Sequence, residues 1–308
     1  MAGGLVAGIV LFICVSSLTG PAPDPQGNAA LPTATDMPAV ADVPTESESV
    51  ESPGAKAQAE PDGELVTSPY ASETMVTSWK ILNGVPQTDR PLGLPECAQV
   101  DDSYFNGAVF VGDSISMRLQ QYVTSQRQDK YPTMLGDAVF LTAGSLGSHN
   151  LVGEVKKGSL HPVLYGQKMT LEDALVTLNA SKVYIMLGMN DANYYKEMQT
   201  SIDNMMELIH RIREKMPNLE IYIQSATPRY TGEKPSTQQL FDYDMMLYDE
   251  ILKLGDPNVF FVDIAYIMRD ESGNLFDYYC SDKEGMAMHF NGRACLEWIK
   301  YLYTHANI

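Results

Sequence analysis

From about residue 101 onward, short apolar runs alternate with longer segments of helical period. Runs of strand length occur at Ala108–Val111, Ala138–Leu141, Val183–Leu187, Leu219–Ile223 and Val259–Val262. They are nearly continuous in apolar residues and rich in β-branched ones, the pattern of strands buried on both faces. Thr170 followed by Asp173 has the form of a capping box opening a helix over Leu171–Leu178. Met205, Leu208, Ile209, Ile212 and Met216 fall on one helical stripe that Pro217 stops. Another helical stretch runs from Leu240 to Leu254 and ends at Gly255, and Cys295, Trp298, Ile299 and Leu302 form a last stripe. The alternation predicts a three-layer α/β/α sandwich over residues 101–308, with a central parallel sheet of about five strands.

The first hundred residues follow another pattern. Leu5–Val15 is an unbroken apolar or small-residue run, and no charge occurs before Asp24. Eleven residues suit the apolar core of an export signal and fall short of the ~20 that a membrane span needs. Residues 1–20 therefore read as a signal peptide or N-terminal membrane anchor, although no Lys or Arg precedes the run. Cys14 follows Ile13, not the small residue that lipid attachment prefers. Residues 21–69 are rich in Pro, Ala, Glu, Ser and Thr, with no aromatic between Phe12 and Tyr70. Such a stretch buries too little apolar surface to offset its ordering entropy, and it reads as a disordered acidic spacer. Residues 70–100 are transitional: Tyr70, Trp79, Ile81 and Leu82 offer apolar surface that Pro and Gly keep interrupting. This layout places the domain outside the cytoplasmic membrane, secreted or tethered by its N-terminal segment.

Charge narrows the function. The 308 residues hold 21 Lys+Arg and 39 Asp+Glu, a net −18, which argues against non-specific binding to nucleic acid or to an anionic membrane surface. The first 100 residues carry 12 acids and 3 bases, so the acidity is concentrated in the N-terminal third. Cys14, Cys97, Cys280 and Cys295 have no metal-like spacing. In an exported chain Cys280 and Cys295 could bridge around the loop between them, but buried free thiols are the favoured reading.

In such sheets chemistry sits where strands end and loops begin. The first run leads into Gly112-Asp113-Ser114 and then a helix near Ile115. Ser114 would thus lie at a helix N-terminus, which favours a developing negative charge; an ordinary capping serine is the plain alternative. The second run ends at Thr142-Ala143-Gly144-Ser145, where Gly144 lets a backbone approach a ligand or simply makes a turn. The third ends at Gly188-Met189-Asn190-Asp191, where Asn190 either offers an amide to an oxyanion or caps a turn. Tyr194 and Tyr195 follow, as a sugar-binding wall or as packed rim aromatics. A serine nucleophile needs a base. His210 reads as solvated, His305 as part of a frayed end, and His161 as a loop residue before Pro162. His149 is a rival to His289, which sits in the loop just before the last helix.

Taken together, GDS after the first strand, Gly after the second, GxND after the third and a late His resemble the SGNH (GDSL-type) hydrolases over residues 100–305. The opening Tyr104-Phe105 and Ala108-Val109-Phe110-Val111-Gly112-Asp113-Ser114 is similar to a subgroup of exported bacterial proteins. The resemblance implies a three-layer esterase fold without metal or organic cofactor. It also implies Ser114 as nucleophile, His289 as general base, and an oxyanion hole of the Ser114 and Gly144 N–H groups with the Asn190 side chain. The family usually has Asp three residues before the His, where this chain has Met286. Asp282 is the first choice for the acid and Glu284 the alternative, with a backbone carbonyl behind a Ser–His dyad as a further option. The expected activity is a monomeric extracytoplasmic esterase removing small acyl groups, acetyl foremost, from carbohydrate or other esters. An O-acyltransferase of the same fold, or a non-catalytic binding module with a degraded triad, stands as the alternative.

Overall fold

The computed structural model describes residues 90–232 and 234–308, together with the backbone of three short strands before them. These are β1 (Leu65–Thr67), β2 (Ser78–Leu82) and β3 (Val85–Thr88), antiparallel and in that order. Strand β1 falls at the end of the expected spacer: Leu65-Val66-Thr67 is a β-prone triplet and pairs with Ser78–Lys80. The rest of the spacer and the export segment lie outside the described residues.

The domain proper runs β4 (Ala108–Gly112), α1 (Ser114–Asp129), β5 (Val139–Thr142), α2 (Ser148–Val152), and the two-residue strands β6 (Val163–Leu164) and β7 (Gln167–Lys168). It continues with α3 (Leu171–Thr177), β8 (Lys182–Met186), α4 (Met189–Tyr194), α5 (Gln199–Lys215) and β9 (Glu220–Gln224). Last come α6 (Thr237–Leu254), β10 (Val259–Val262), α7 (Ile264–Met268) and α8 (Gly292–Thr304). Strands β10, β9, β8, β4 and β5 lie side by side in that order, every pair parallel. The five predicted runs are these strands, displaced by at most one residue because backbone pairing extends onto Gly112, Thr142 and Gln224. The chain leaves β4 towards β5, then crosses back to β8 on the other side. In sheets of this kind such a reversal marks where ligands bind, beyond the carboxyl ends of the strands, here β4, β5 and β8.

Helix ends follow local chemistry. Asp113 caps α1 by accepting the Ile115 N–H at 2.9 Å. Thr170 caps α3, and its hydroxyl also donates to Asp173 at 2.9 Å, which replaces the reciprocal backbone bond of a full capping box. Gly255, at φ +62°, closes α6. Across the sheet, Phe140, Phe110, Tyr184, Tyr222 and Phe260 occupy matching register positions, one on each strand. Their ring centroids lie 5.2, 4.7, 4.4 and 5.1 Å apart in sequence across the row, close enough for each ring to pack on the next.

The end of the transitional segment belongs to the domain. Leu94 N–H donates to the Phe261 carbonyl at 2.9 Å, and Leu92 N–H to Asp263 Oδ2 at 3.1 Å. Cys97 and Val100 donate to the carbonyls of Thr304 and Tyr303. Gly93 is at φ +80°, and a Cβ there would sit 2.1 Å from the Phe261 oxygen. The segment covers backbone groups that β10, an edge strand, would otherwise leave open. The same strap corrects the expectation for His305. It is buried, stacks on Tyr301 at 3.6 Å and brings Nδ1 within 3.0 Å of the Tyr301 carbonyl, so the end of the chain is packed rather than frayed. Among the described residues no helix is long and apolar enough to cross a membrane.

Candidate active site

Strand β4 ends at Gly112, where a Cβ would fall 2.1 Å from Ser116 Oγ and 2.8 Å from the Met186 carbonyl. Only glycine lets the chain turn so closely under the helix that follows. Asp113 then caps that helix from inside, and Ser114 becomes its first residue, at the carboxyl end of β4, between β8 and β5.

His289 reaches the same point from the other end of the chain. Its carbonyl accepts the Ser281 N–H at 2.9 Å, while Asn291, two residues on, caps α8 through the Ala294 N–H at 3.1 Å. His289 Nε2 lies 2.9 Å from Ser114 Oγ, and Nδ1 lies 2.6 Å from Asp282 Oδ2. A carboxylate on Nδ1 keeps the proton there and leaves the Nε2 lone pair facing the serine hydroxyl. The other oxygen, Asp282 Oδ1, accepts the backbone N–H groups of Met288 at 3.1 Å and His289 at 3.0 Å, with Cys280 Sγ at 3.5 Å. Partial burial opposes ionisation of Asp282. The His289 ring and backbone hydrogen bonds outweigh it and hold the carboxyl below its usual range.

Met286 at the family's acid position has a structural explanation. The loop from Asp282 to His289 folds back on its own first residue: Gly285 and Ala287 both donate to the Asp282 carbonyl, and Ala287 adopts φ +57°. Met286 is carried to the outside, 60% exposed, while Asp282 comes under the imidazole. Glu284 is exposed on the same loop. A neighbouring loop braces the turn, with Arg229 Nη2 donating to the Met286 carbonyl at 2.6 Å and Tyr230 N–H to that of Ala287 at 2.8 Å.

The loop after β5 leaves the sheet next to the end of β4, where Ala143 N–H donates to the Gly112 carbonyl at 3.1 Å. Among the described residues no backbone carbonyl takes the N–H of Ser114 or Gly144, and a Cβ at Gly144 would meet nothing within 4 Å. Both groups are open to an oxyanion. Asn190 has partners of its own. Its Nδ2 donates to Asp113 Oδ2 at 2.9 Å and to the Leu146 carbonyl at 3.1 Å, so both amide protons are engaged in this arrangement. The reason is Asp113, a fully buried carboxyl that needs partners. Burial raises its pKa to about 7 against the lowering effect of the Ile115 and Ser116 N–H groups.

The remaining histidines lie elsewhere. His149 packs its ring on Tyr194 and brings Nδ1 to 3.8 Å from Asp191 Oδ1. His161 is buried beside Ser159, and His210 is exposed beside Glu214. Sequence reasoning passed over Asp113 as a partner of Asn190, and over Asp191, whose Oδ1 accepts the Ser148 N–H at 2.9 Å and hydroxyl at 2.5 Å. That buried contact ties α4 to α2, and nothing in local spacing announces it. Cys280 and Cys295 are free buried thiols, so no disulfide brackets the loop. Among the described residues no cluster of His, Cys, Asp or Glu is arranged to hold a metal.

A hydroxyl at a helix start, an imidazole on it and a carboxylate behind that define a serine ester hydrolase on a parallel α/β sheet. The chain belongs to the GDSL-like Lipase/Acylhydrolase family, whose profile matches residues 110–294. Its structure is similar to that of a catalytic mutant of an acetylxylan esterase from Geobacillus stearothermophilus, at 15% identity and a TM-score of 0.44, covering 71% of this chain and 100% of the other. A GDSL-like lipase from Bacteroides thetaiotaomicron matches at 11% identity and a TM-score of 0.44, covering 67% and 88%. No curated protein sequence matches the chain.

Proposed function

We propose that this hydrolase acts outside the cytoplasmic membrane and removes small acyl groups, acetyl foremost, from carbohydrate esters through an acyl-enzyme on Ser114. The observation that carries the reading is the relay from Asp282 through His289 to Ser114 at 2.6 and 2.9 Å. Ser114 Oγ attacks the ester carbonyl as His289 Nε2 takes its proton, and Asp282 stabilises the imidazolium. The carbonyl oxygen becomes an oxyanion held by the Ser114 and Gly144 N–H groups, each such donor typically worth ~3–4 kcal/mol. His289 then protonates the departing alcohol oxygen. Water, deprotonated by the same imidazole, attacks the acyl-enzyme and releases the carboxylic acid. Asn190 joins the oxyanion hole if one of its amide protons leaves the Leu146 carbonyl as charge develops. With Asp282 in the acid's place, Met286 no longer motivates a degraded triad.

The extracytoplasmic setting is supported by the apolar run and acidic spacer in the sequence. The test is a p-nitrophenyl ester series of increasing acyl length, with Ser114→Ala as control. Turnover highest for acetate and lost in the variant is the expected result, and no turnover of any ester by the native chain would overturn the reading. Adding a sugar acceptor distinguishes transfer from hydrolysis.

A further inference from the structure

We infer that Tyr194, backed by His149, forms a binding platform beside the oxyanion hole for the neutral sugar ring that carries the scissile ester; this rests on the proposed carbohydrate esterase activity. Tyr194 is 66% exposed, yet its ring is held in place. It lies parallel to His149, at 4.0 Å and 8°, and edge-on to Tyr195, at 4.9 Å and 87°. Tyr195 is itself pinned by the Asn204 amide, which donates to its hydroxyl at 3.0 Å. One face of Tyr194 is therefore spent on His149, and among the described residues no other aromatic ring stacks on the opposite face. Large exposed aromatics that are already ordered suit a ligand surface, because binding then costs little further side-chain freedom.

Position ties the platform to the chemistry. Tyr194 follows Asn190 by four residues on α4, one turn along the same side and about 5–6 Å away. His149 follows Leu146, the residue whose carbonyl holds the Asn190 amide, by three. In an O-acylated sugar a single ester oxygen separates the acyl carbonyl carbon from the sugar carbon. A carbonyl seated between Ser114 and Gly144 thus leaves its pyranose within reach of a platform one helical turn away. The Asp191–Ser148 contact fixes α4 against α2, so the ring pair and the oxyanion loop keep a constant spacing. The open space at Gly144 gives the ester entry. Residues 101–308 hold 27 acids and 18 bases, a net −9, which favours a neutral ring, whose C–H face suits stacking, over a polyanionic glycan.

The test compares kcat/KM on an acetylated xylo-oligosaccharide with kcat/KM on triacetin, an acetyl ester with no ring, measured by acid release on the full chain. For Tyr194→Ala the ratio of sugar to triacetin kcat/KM should fall about tenfold, the scale of one stacking contact, mostly through KM. Tyr194→Phe should retain the native ratio, and His149→Ala should lower it by loosening the ring. An unchanged ratio in Tyr194→Ala, or native hydrolysis of triacetin without hydrolysis of the sugar ester, overturns the platform while leaving the esterase intact. Inactivity of the native chain on both esters overturns the esterase reading on which the platform rests.

Discussion

Asn190 donates its amide to the buried carboxyl of Asp113 at 2.9 Å, so this side chain is fixed by the residue just before the nucleophile. One carboxyl thereby serves two purposes, since its other oxygen caps the helix that carries Ser114. Shape at the oxyanion hole and helix initiation are joined in a single residue.

That carboxyl should make stability depend on pH. Burial raises Asp113 from 3.8 to about 7, so the folded state favours its protonated form. The contribution is fully present below the unfolded value and is lost as pH rises through about 7. Asp244, raised by burial as well, acts in the same sense. Comparison with Asp113→Asn therefore isolates the Asp113 share. In denaturant unfolding at pH 5 and pH 8 the native chain should lose more stability on going to pH 8 than the variant does. Equal losses would remove Asp113 as the source.

Ser114→Ala should lower kcat by at least about 10⁴-fold, since the nucleophile has no substitute. The cap of α1 belongs to Asp113 and Ser114 is only half-buried, so thermal unfolding should shift by no more than about a degree or two. Retained turnover would move the chemistry to another residue.

For the acid, Asp282→Asn should cost roughly 10⁴ in kcat with little change in KM, because Asp282 matters most once the imidazole is charged. Glu284→Gln should be silent within about 0.5 kcal/mol of stability and in rate. Asp282→Ala should go further and loosen the loop, as the Met288 and His289 N–H groups lose their acceptor. Hydrogen exchange at those two amides reads this directly: faster exchange in Asp282→Ala is the expected result, and unchanged protection would separate the carboxylate from loop structure.

Gly93→Ala forces a Cβ onto the Phe261 carbonyl, in a backbone conformation at φ +80° that side chains disfavour. The strap over β10 should detach or strain, with a loss of about 1–3 kcal/mol in unfolding free energy. Limited proteolysis should then cut near residues 90–100. Resistance equal to that of the native chain would show the strap unaffected.

The five strands were legible because their apolar runs have nothing else to become, and the helical stripes because period 3.6 repeats over several turns. Ser114, Gly144 and Asn190 were legible as strand-end residues, and His289 as the one histidine just before the last helix. Other features depend on contacts between distant segments. The pairing of Asn190 with Asp113, 77 residues apart, required the switch at β4 to bring two strand ends together. His305 looked like a loose end because the strap beside it comes from residues 92–100, part of the segment that read as transitional. Asp282 was identified against the family spacing, but the left-handed turn at Ala287 that brings it home falls on an unremarkable residue.

The row of rings across the sheet gives the protein an internal optical gauge. Tyr184 and Tyr222 are buried and nearly parallel at 4.4 Å, so their electronic transitions couple and generate circular dichroism in the near ultraviolet. Trp298, whose indole N–H donates to Gln224 at 2.8 Å, reports separately on the seating of the last helix against the sheet. Loss of the tyrosine signal with retention of the tryptophan one would mark separation of β8 from β9 while α8 stays docked. The opposite order would mark release of the helix that follows His289 before the sheet itself opens.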